Sequence, residues 1–515
     1  MPTYLSPGVY VEEVPSASRP IEGVGTAVAA FVGFAARGPF NTPTLITNWS
    51  QFTQKFGDFL PTPAGDKPGS YLAHAVYGYL NNGGGAAYVV RIGGTNGGEP
   101  PRAELPAASK PTIGAYQIVA QAPDDEDEPP LEVSVKDGAA GDGTFNVTVS
   151  RGSEVLETYD DLTTDKGDKN IATALKDSKL ITLEPIDMPA EVEARPATGT
   201  VTLVVPPADP PREIAATDYV GQSADRTGFG GLEEVDEVTM VCVPDAMAAY
   251  QYGIIDDEGL KAIQLGLIAH CEAMGDRMAI VDPPPNLSPQ QISDWRNDKA
   301  GYDSKFATLY WPWVKVFDPT SGKGVFVPPS GHMAGVWARS DGSRGVHKAP
   351  ANEVVRGALT LETQITKPEH DLLNPDGINC IRAFSGRGIR VWGARTLSST
   401  DKSWQYINVR RLFNYIEESI LEGTDWVVFE PNDQDLWARI RRTITAFLLN
   451  VWRDGALFGA TPEEAFYVKC DAETNPPEAV DAGIVACEIG IAPVKPAEFV
   501  VFRISQYSGG ADVSE

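Results

Sequence analysis

Ser330, His332, Asp341 and His347 fall in one short stretch, and two further carboxylates, Asp245 and Asp282, end apolar runs that read as strands. Serine, histidine and aspartate together can carry acyl transfer. The hydroxyl attacks, the imidazole takes its proton and the carboxylate orients the imidazole. An acid at the C-terminal edge of a parallel strand is also a recurrent catalytic position. The spacing argues against this chemistry. Ser330-Gly331-His332 sets nucleophile and base too close along the chain, and no G-x-S-x-G elbow is present. Both strand-end carboxylates serve equally well as strand terminators and helix caps. A hydrolase, active or degenerate, stays as the alternative reading, with no catalytic residue assigned.

Other chemistries find less support. Gly322-Lys323 and Gly342–Gly345 lack the GxxxxGK[ST] pattern, and Gly83-Gly84-Gly85 precedes a strand where a dinucleotide fingerprint must open a helix. The five histidines (His74, His270, His332, His347, His370) are scattered, outside any HExxH. Five cysteines (Cys242, Cys271, Cys380, Cys470, Cys487) make an odd count without CxxC, and read as buried thiols of a reducing compartment. The acidic run Asp124–Glu128 lacks the ligand spacing and turn glycine of a calcium loop, and reads as a solvated loop. No cofactor or metal is expected.

Charge narrows the partners. With 42 basic against 70 acidic residues the formal net charge is −28, which argues against a nucleic-acid surface. One cationic feature stands out. On the helix expected over Asp433–Arg453, the residues Arg439, Arg442 and Arg453 lie opposite the apolar stripe. Such a face either binds an acidic partner or forms ion pairs within the chain. The longest uncharged apolar run near the start, Val24–Ala36, is shorter than the roughly 20 residues a membrane span takes. Neither a signal peptide nor membrane insertion is expected.

Hydrophobic periodicity supplies the elements that must position these groups. Buried strands are expected at Thr26–Ala35, Ala86–Ile92, Asp236–Asp245, Arg277–Pro284 and Lys305–Val316. Helices are expected at Trp49–Gly57, Leu72–Gly85, Asp257–Met274 and Ser288–Asn297. Alternating strand and helix implies a parallel sheet with right-handed crossovers. Between them, residues 99–215 change to Pro/Gly/Asp-punctuated segments, with a hairpin at Thr144–Ser150 and Glu154–Tyr159 and a strand at Thr198–Val205. The last part is a compact α+β pattern. It has helices at Trp404–Leu421 and Asp433–Arg453, and strands at Asp425–Asn432, Ala465–Asp471 and Ile484–Ala492.

The two ends carry a different signal. Glu498–Gln506 alternates Phe499, Val501 and Arg503 against Val500, Phe502 and Ile504, after Pro493 and Pro496 detach it from what precedes. Tyr4–Val14 is a proline-flanked apolar stretch containing Val9, Tyr10 and Val11. Such terminal strands are satisfied by adding to a sheet edge, their own or a neighbour's.

GIAPVKPAEFVVFRI, YLSPGVYVEE, PSGHMAGVWARSDGSRGVHKAPANE and WQYINVRRLFNYIEESI together resemble the contractile tail sheath family, from residue 3 to about 506, lapsing over 99–215. The family serves phage tails, bacteriocin-like tail particles and extracellular contractile injection systems. The resemblance implies an α/β and α+β multidomain chain. Residues 1–22 would be an extended arm, 23–98 and 216–395 a discontinuous central parallel-sheet domain of subtilisin-like fold, and 99–215 a β-rich peripheral insertion. Residues 396–497 would form the C-terminal domain and 498–515 the C-terminal arm strand. It also implies a helical homopolymer knitted through arm residues Tyr4, Val9, Tyr10, Val11, Phe499, Val500, Val501, Phe502 and Ile504. The C-terminal domain would grip an inner tube, with Arg439, Arg442 and Arg453 as candidate contacts, and baseplate and terminal cap proteins would be further partners. With reduced thiols and no signal peptide expected, assembly in a bacterial cytoplasm is expected, and release, if any, by lysis. With no nucleotide motif present, the work of contraction would come from two packings of the same subunits.

Overall fold

The structure is a computed structural model. It describes residues 20–60, 69–93, 112–120, 131–185, 195–203 and 214–504, apart from positions 115, 140, 142, 153, 166, 168, 179 and 320. The arm residues Tyr4, Val9, Tyr10 and Val11 and the acidic run Asp124–Glu128 lie outside the described residues. The chain divides into two compact units. One takes Gly25–Ser343 and Pro350–Gln405, the other the described parts of Met1–Val24, Arg344–Ala349 and Tyr406–Glu515.

The larger unit is built on an eight-stranded sheet. Its strands are β1 (Val28–Gly33), β2 (Thr44–Ile46), β3 (Ala86–Arg91), β4 (Met240–Cys242), β5 (Met278–Val281), β6 (Ala307–Trp311), β7 (Ile378–Phe384) and β8 (Gly388–Val391), in the order β8-β7-β6-β5-β4-β1-β3-β2. Six central strands are parallel, and the two outer strands, β8 and β2, pair antiparallel. The expected parallel sheet is thus the middle of a mixed one. Its central strands are apolar throughout because helices cover both faces of a parallel sheet. Among these helices are α1 (Leu72–Asn82), α2 (Asp257–Met274) and α3 (Ser330–Arg344). Asp256 caps α2 by accepting the Gly259 N–H at 2.8 Å.

Two expectations in this unit need correction. Lys305–Val316 is not one strand. Pro312 has no N–H to give a ladder, so β6 stops at Trp311 and Val314–Asp318 pairs instead with Lys323–Val327 and Thr360–Leu361. The helix expected over Ser288–Asn297 keeps its Ser288 cap and capping box, but α-helix gives way at Trp295 to a π-helical turn reaching Ala300.

Within residues 112–203 an antiparallel sheet orders Gly199–Leu203, Leu131–Asp137, Phe145–Arg151 and Glu154–Leu162, including the expected hairpin. A second, three-stranded sheet joins it around a separate core that includes Ile118, Val133, Phe145, Val147 and Ile181.

The smaller unit packs α4 (Ile407–Gly423) and α5 (Gln434–Arg453) with a hairpin of β9 (Phe466–Lys469) and β10 (Glu488–Ile491). Leu436, Ile440, Ile444, Phe447, Leu448 and Val451 of α5 are all buried, as their period predicts. The strand expected at Asp425–Asn432 is a correction. Asp425–Val427 is a 3₁₀ turn, and Phe429 sits at φ 68° with its side chain fully exposed. The β-prone Val427-Val428-Phe429 run has no partner strand among the described residues, and Arg439 shapes this loop instead, lying over the Trp426 ring at 4.5 Å and pairing with Glu430 at 3.1 Å.

Candidate assembly surface

In the larger unit Ser330, His332, Asp245 and Asp282 are buried and Asp341 is half-buried, and all serve structural ends. Ser330 begins α3, and its N–H donates to the Asp282 carboxylate at 2.9 Å. Burial raises Asp282 to about 7. Burial, with His74 nearby, lowers His332 to about 4, leaving it a neutral core imidazole at pH 7. Asp341 accepts from the Thr26 hydroxyl at 2.7 Å, whereas the His347 carbonyl belongs to the smaller unit and accepts from Asn408 Nδ2 at 2.8 Å. Asp245 accepts from the Phe34 N–H (2.6 Å), the Ser70 hydroxyl (2.8 Å) and the Tyr71 N–H, while burial raises it to about 6. These residues make no Ser–His–Asp arrangement. What the SGHMAG sequence supplies is close packing. A Cβ on Gly331 would lie 2.4 Å from the Ala75 carbonyl oxygen, and one on Gly335 would lie 2.4 Å from that of Tyr79, so two glycines one turn apart let α3 lie against α1.

The smaller unit presents its chemistry outward. Among the described residues β9 and β10 pair only with each other along their length, leaving backbone groups on both outer edges. Beyond them the chain is fastened and then let go. Asn408 Nδ2 donates to the Val494 carbonyl (3.1 Å) and the Tyr406 hydroxyl to Glu498 (2.9 Å). Over Phe499–Ile504 none of the described residues covers it: Phe499, Val500 and Val501 are exposed, Phe502 is 84% exposed and Ile504 95%. Of the strand expected over Glu498–Gln506, the described residues Glu498–Ile504 join no sheet within one copy.

The N-terminal segment is fastened too. Ile21 is buried in the core beside Leu412 and Ile416, and the Val24 N–H donates to Ser419 Oγ at 3.1 Å. Gly423 is needed here, because a Cβ would meet Ile21 at 2.6 Å. Reading the sequence alone missed Ile21, Tyr406, Asn408 and Glu498. A lone isoleucine after Pro20 and a tyrosine before a helix carry no periodic signal. The arginine trio divides. Arg439 is engaged with Trp426 and Glu430, while Arg442 and Arg453 are exposed.

Residues 233–397 match the family described as "Phage tail sheath protein central domain", and residues 399–506 match "Phage tail sheath C-terminal domain". The chain belongs to the contractile tail sheath family. This sheath-family chain is 25% identical over 499 residues to the tail sheath protein of Burkholderia phage BcepMu, covering 92% of itself and 91% of that protein. It is also 25% identical over 262 residues to the tail sheath protein of Vibrio phage KVP40, there covering 47% of itself and only 38% of the relative. In fold it is similar to the PVC sheath complex of an extracellular contractile injection system in its contracted state, with TM-score 0.59, 24% identity and coverage of 98% and 99%. The C-terminal match ends at residue 506, so it takes in the hairpin, both fastening points of the last segment and the exposed tail.

Proposed function

We propose that this chain is the structural subunit of a contractile sheath, polymerising helically around an inner tube and driving that tube through a target envelope on contraction. The observation that carries the reading is a hairpin with open edges and an apolar tail that the described residues of its own copy leave uncovered, in a chain of this family. A tail of one subunit added to the hairpin of the next satisfies both, and main-chain pairing persists while the rigid units it connects rotate. The N-terminal residues Tyr4, Val9, Tyr10 and Val11 are assigned the same role. The energy resides in the metastable extended packing, and the chain has no enzymatic part in it. The partners are other copies, the inner tube, and baseplate and terminal cap proteins, assembled in a bacterial cytoplasm and released on lysis. The burial of Ser330, His332 and Asp282 disfavours the hydrolase alternative.

Electron microscopy of the purified chain tests this directly. Helical tubes are expected from the full chain, and soluble folded monomers without tubes after deletion of Phe499–Glu515. Dispersed monomers from the full chain in the presence of inner tube protein, or collapse of the monomer fold on deletion, would overturn the reading.

A further inference from the structure

We propose that Cys470 and Cys487 are a redox-sensitive staple, two thiols placed to close into a disulfide across the mouth of the β9–β10 hairpin. The register pairs Phe466 with Ile491 and Lys469 with Glu488, so the next pair outward is Cys470 with Cys487. The Ala492 N–H donates to the Ala465 carbonyl at 2.8 Å, which makes 465/492 a hydrogen-bonded pair of the same ladder. Bonded and non-bonded pairs alternate, which makes 470/487 non-bonded. That is the closer kind, with Cα atoms about 4.5 Å apart and side chains on one face, within the Cα range of about 4.4–6.8 Å that a disulfide spans.

The packing agrees with the register. Phe466, Val468 and Cys470 on β9, and Ile491, Ile489 and Cys487 on β10, all face the core formed with α5. The two thiols are within hydrogen-bonding contact of each other, and Asn475 Nδ2 lies 3.9 Å from Cys470 Sγ. Cys470 is buried and Cys487 half-buried, so a small oxidant enters from the Cys487 side. Hydrogen peroxide is of that class. One thiolate attacks a peroxide oxygen, the O–O bond breaks and hydroxide leaves, giving a sulfenic acid. The second thiolate attacks that sulfur, the S–S bond forms and a second hydroxide leaves. The two thiol protons complete two waters, so two sulfurs give up two electrons and one peroxide takes them. Burial raises both thiols, Cys487 to about 12, so the reaction is slow at neutral pH and accelerates in alkali.

The chemical step stands on the hairpin alone. Its consequence, a stiffened docking edge between subunits, rests on the sheath reading. The test uses the full chain as folded monomer, treated with hydrogen peroxide, then denatured for thiol counting and non-reducing peptide mapping. Free thiols should fall from five to three, with one intrachain 470–487 link that dithiothreitol reverses. Cys470→Ser and Cys487→Ser should each abolish that link, and link formation in the wild type should quicken as pH rises. Thiol loss without a 470–487 link, links mainly between chains, or irreversible overoxidation of Cys487 alone would overturn the proposal. Failure to form tubes would count against the sheath reading and leave the link readout intact.

Discussion

Phe502→Ala separates the stability of the subunit from the stability of the polymer. In one copy the Phe502 side chain is 84% exposed, in a segment that joins no sheet, so truncation removes almost nothing from the fold. The monomer should keep its unfolding free energy within about 0.5 kcal/mol. Docked on a neighbour's hairpin, the same ring would lose most of its exposure. Full burial of a phenylalanine contributes roughly 1.5–3 kcal/mol. Taking ~2 kcal/mol and ~1.4 kcal/mol per tenfold, each tail link weakens roughly thirtyfold. Every subunit supplies one such tail, so the concentration at which tubes first appear should rise by about that factor. Sedimentation of polymer across a concentration series gives the threshold, and calorimetry of the monomer gives the fold. An unchanged threshold, or a monomer that melts several degrees lower while polymerising normally, would refute the docking argument.

Further outcomes follow from other residues. Arg442→Glu with Arg453→Glu should leave melting nearly unchanged and weaken co-assembly with the inner tube, measured by co-sedimentation; Arg439→Glu should instead lower stability by about 1 kcal/mol, because it loses Glu430 and the Trp426 ring. Ile21→Ala should cost about 2 kcal/mol in denaturant unfolding of the smaller unit and expose the Pro20–Val24 segment to protease. Asp282→Asn should change the pH dependence of melting. The folded carboxyl titrates near 7, above its unfolded value of about 4, so its contribution is present at low pH and lost as pH rises between those values. The asparagine variant lacks that loss, so its melting temperature should gain on the wild type between pH 5 and 8; a constant difference across that range would refute the assignment.

Much of the central sheet can be read from the chain, because strands covered on both faces are continuous apolar runs closed by glycine or proline, as in Val28–Gly33 and Met278–Val281. Helix α5 is equally legible through its stripe and its Asp433 cap. The errors come where a distant residue decides. Val427-Val428-Phe429 is strand-like in composition, yet it becomes a turn because Arg439, from the next helix, holds both Trp426 and Glu430. The arm pattern at Phe499–Ile504 is visible because alternation is local. Its fastening points are not, because Tyr406 and Glu498 meet only once the chain has folded back on itself. The Cys470–Cys487 juxtaposition needs the register and not merely the two strands, so a count of cysteines cannot reveal it.

The two fastenings share one element. The N-terminal segment is tied at Ser419, and the C-terminal segment at Asn408, both on α4. Eleven residues at 1.5 Å each put the two ties about 17 Å apart along a single helix. Tension arriving through one linker would therefore leave through the other along the helix axis, as through a tie rod. A lattice of such rods would have a fixed node-to-node length and free joints. Its shape could change by pivoting, like a garden trellis folding flat, without any rod stretching. On this view the length of α4 is a dimension of the particle, and one inserted helical turn between Asn408 and Ser419 would lengthen every rod in it by about 5 Å.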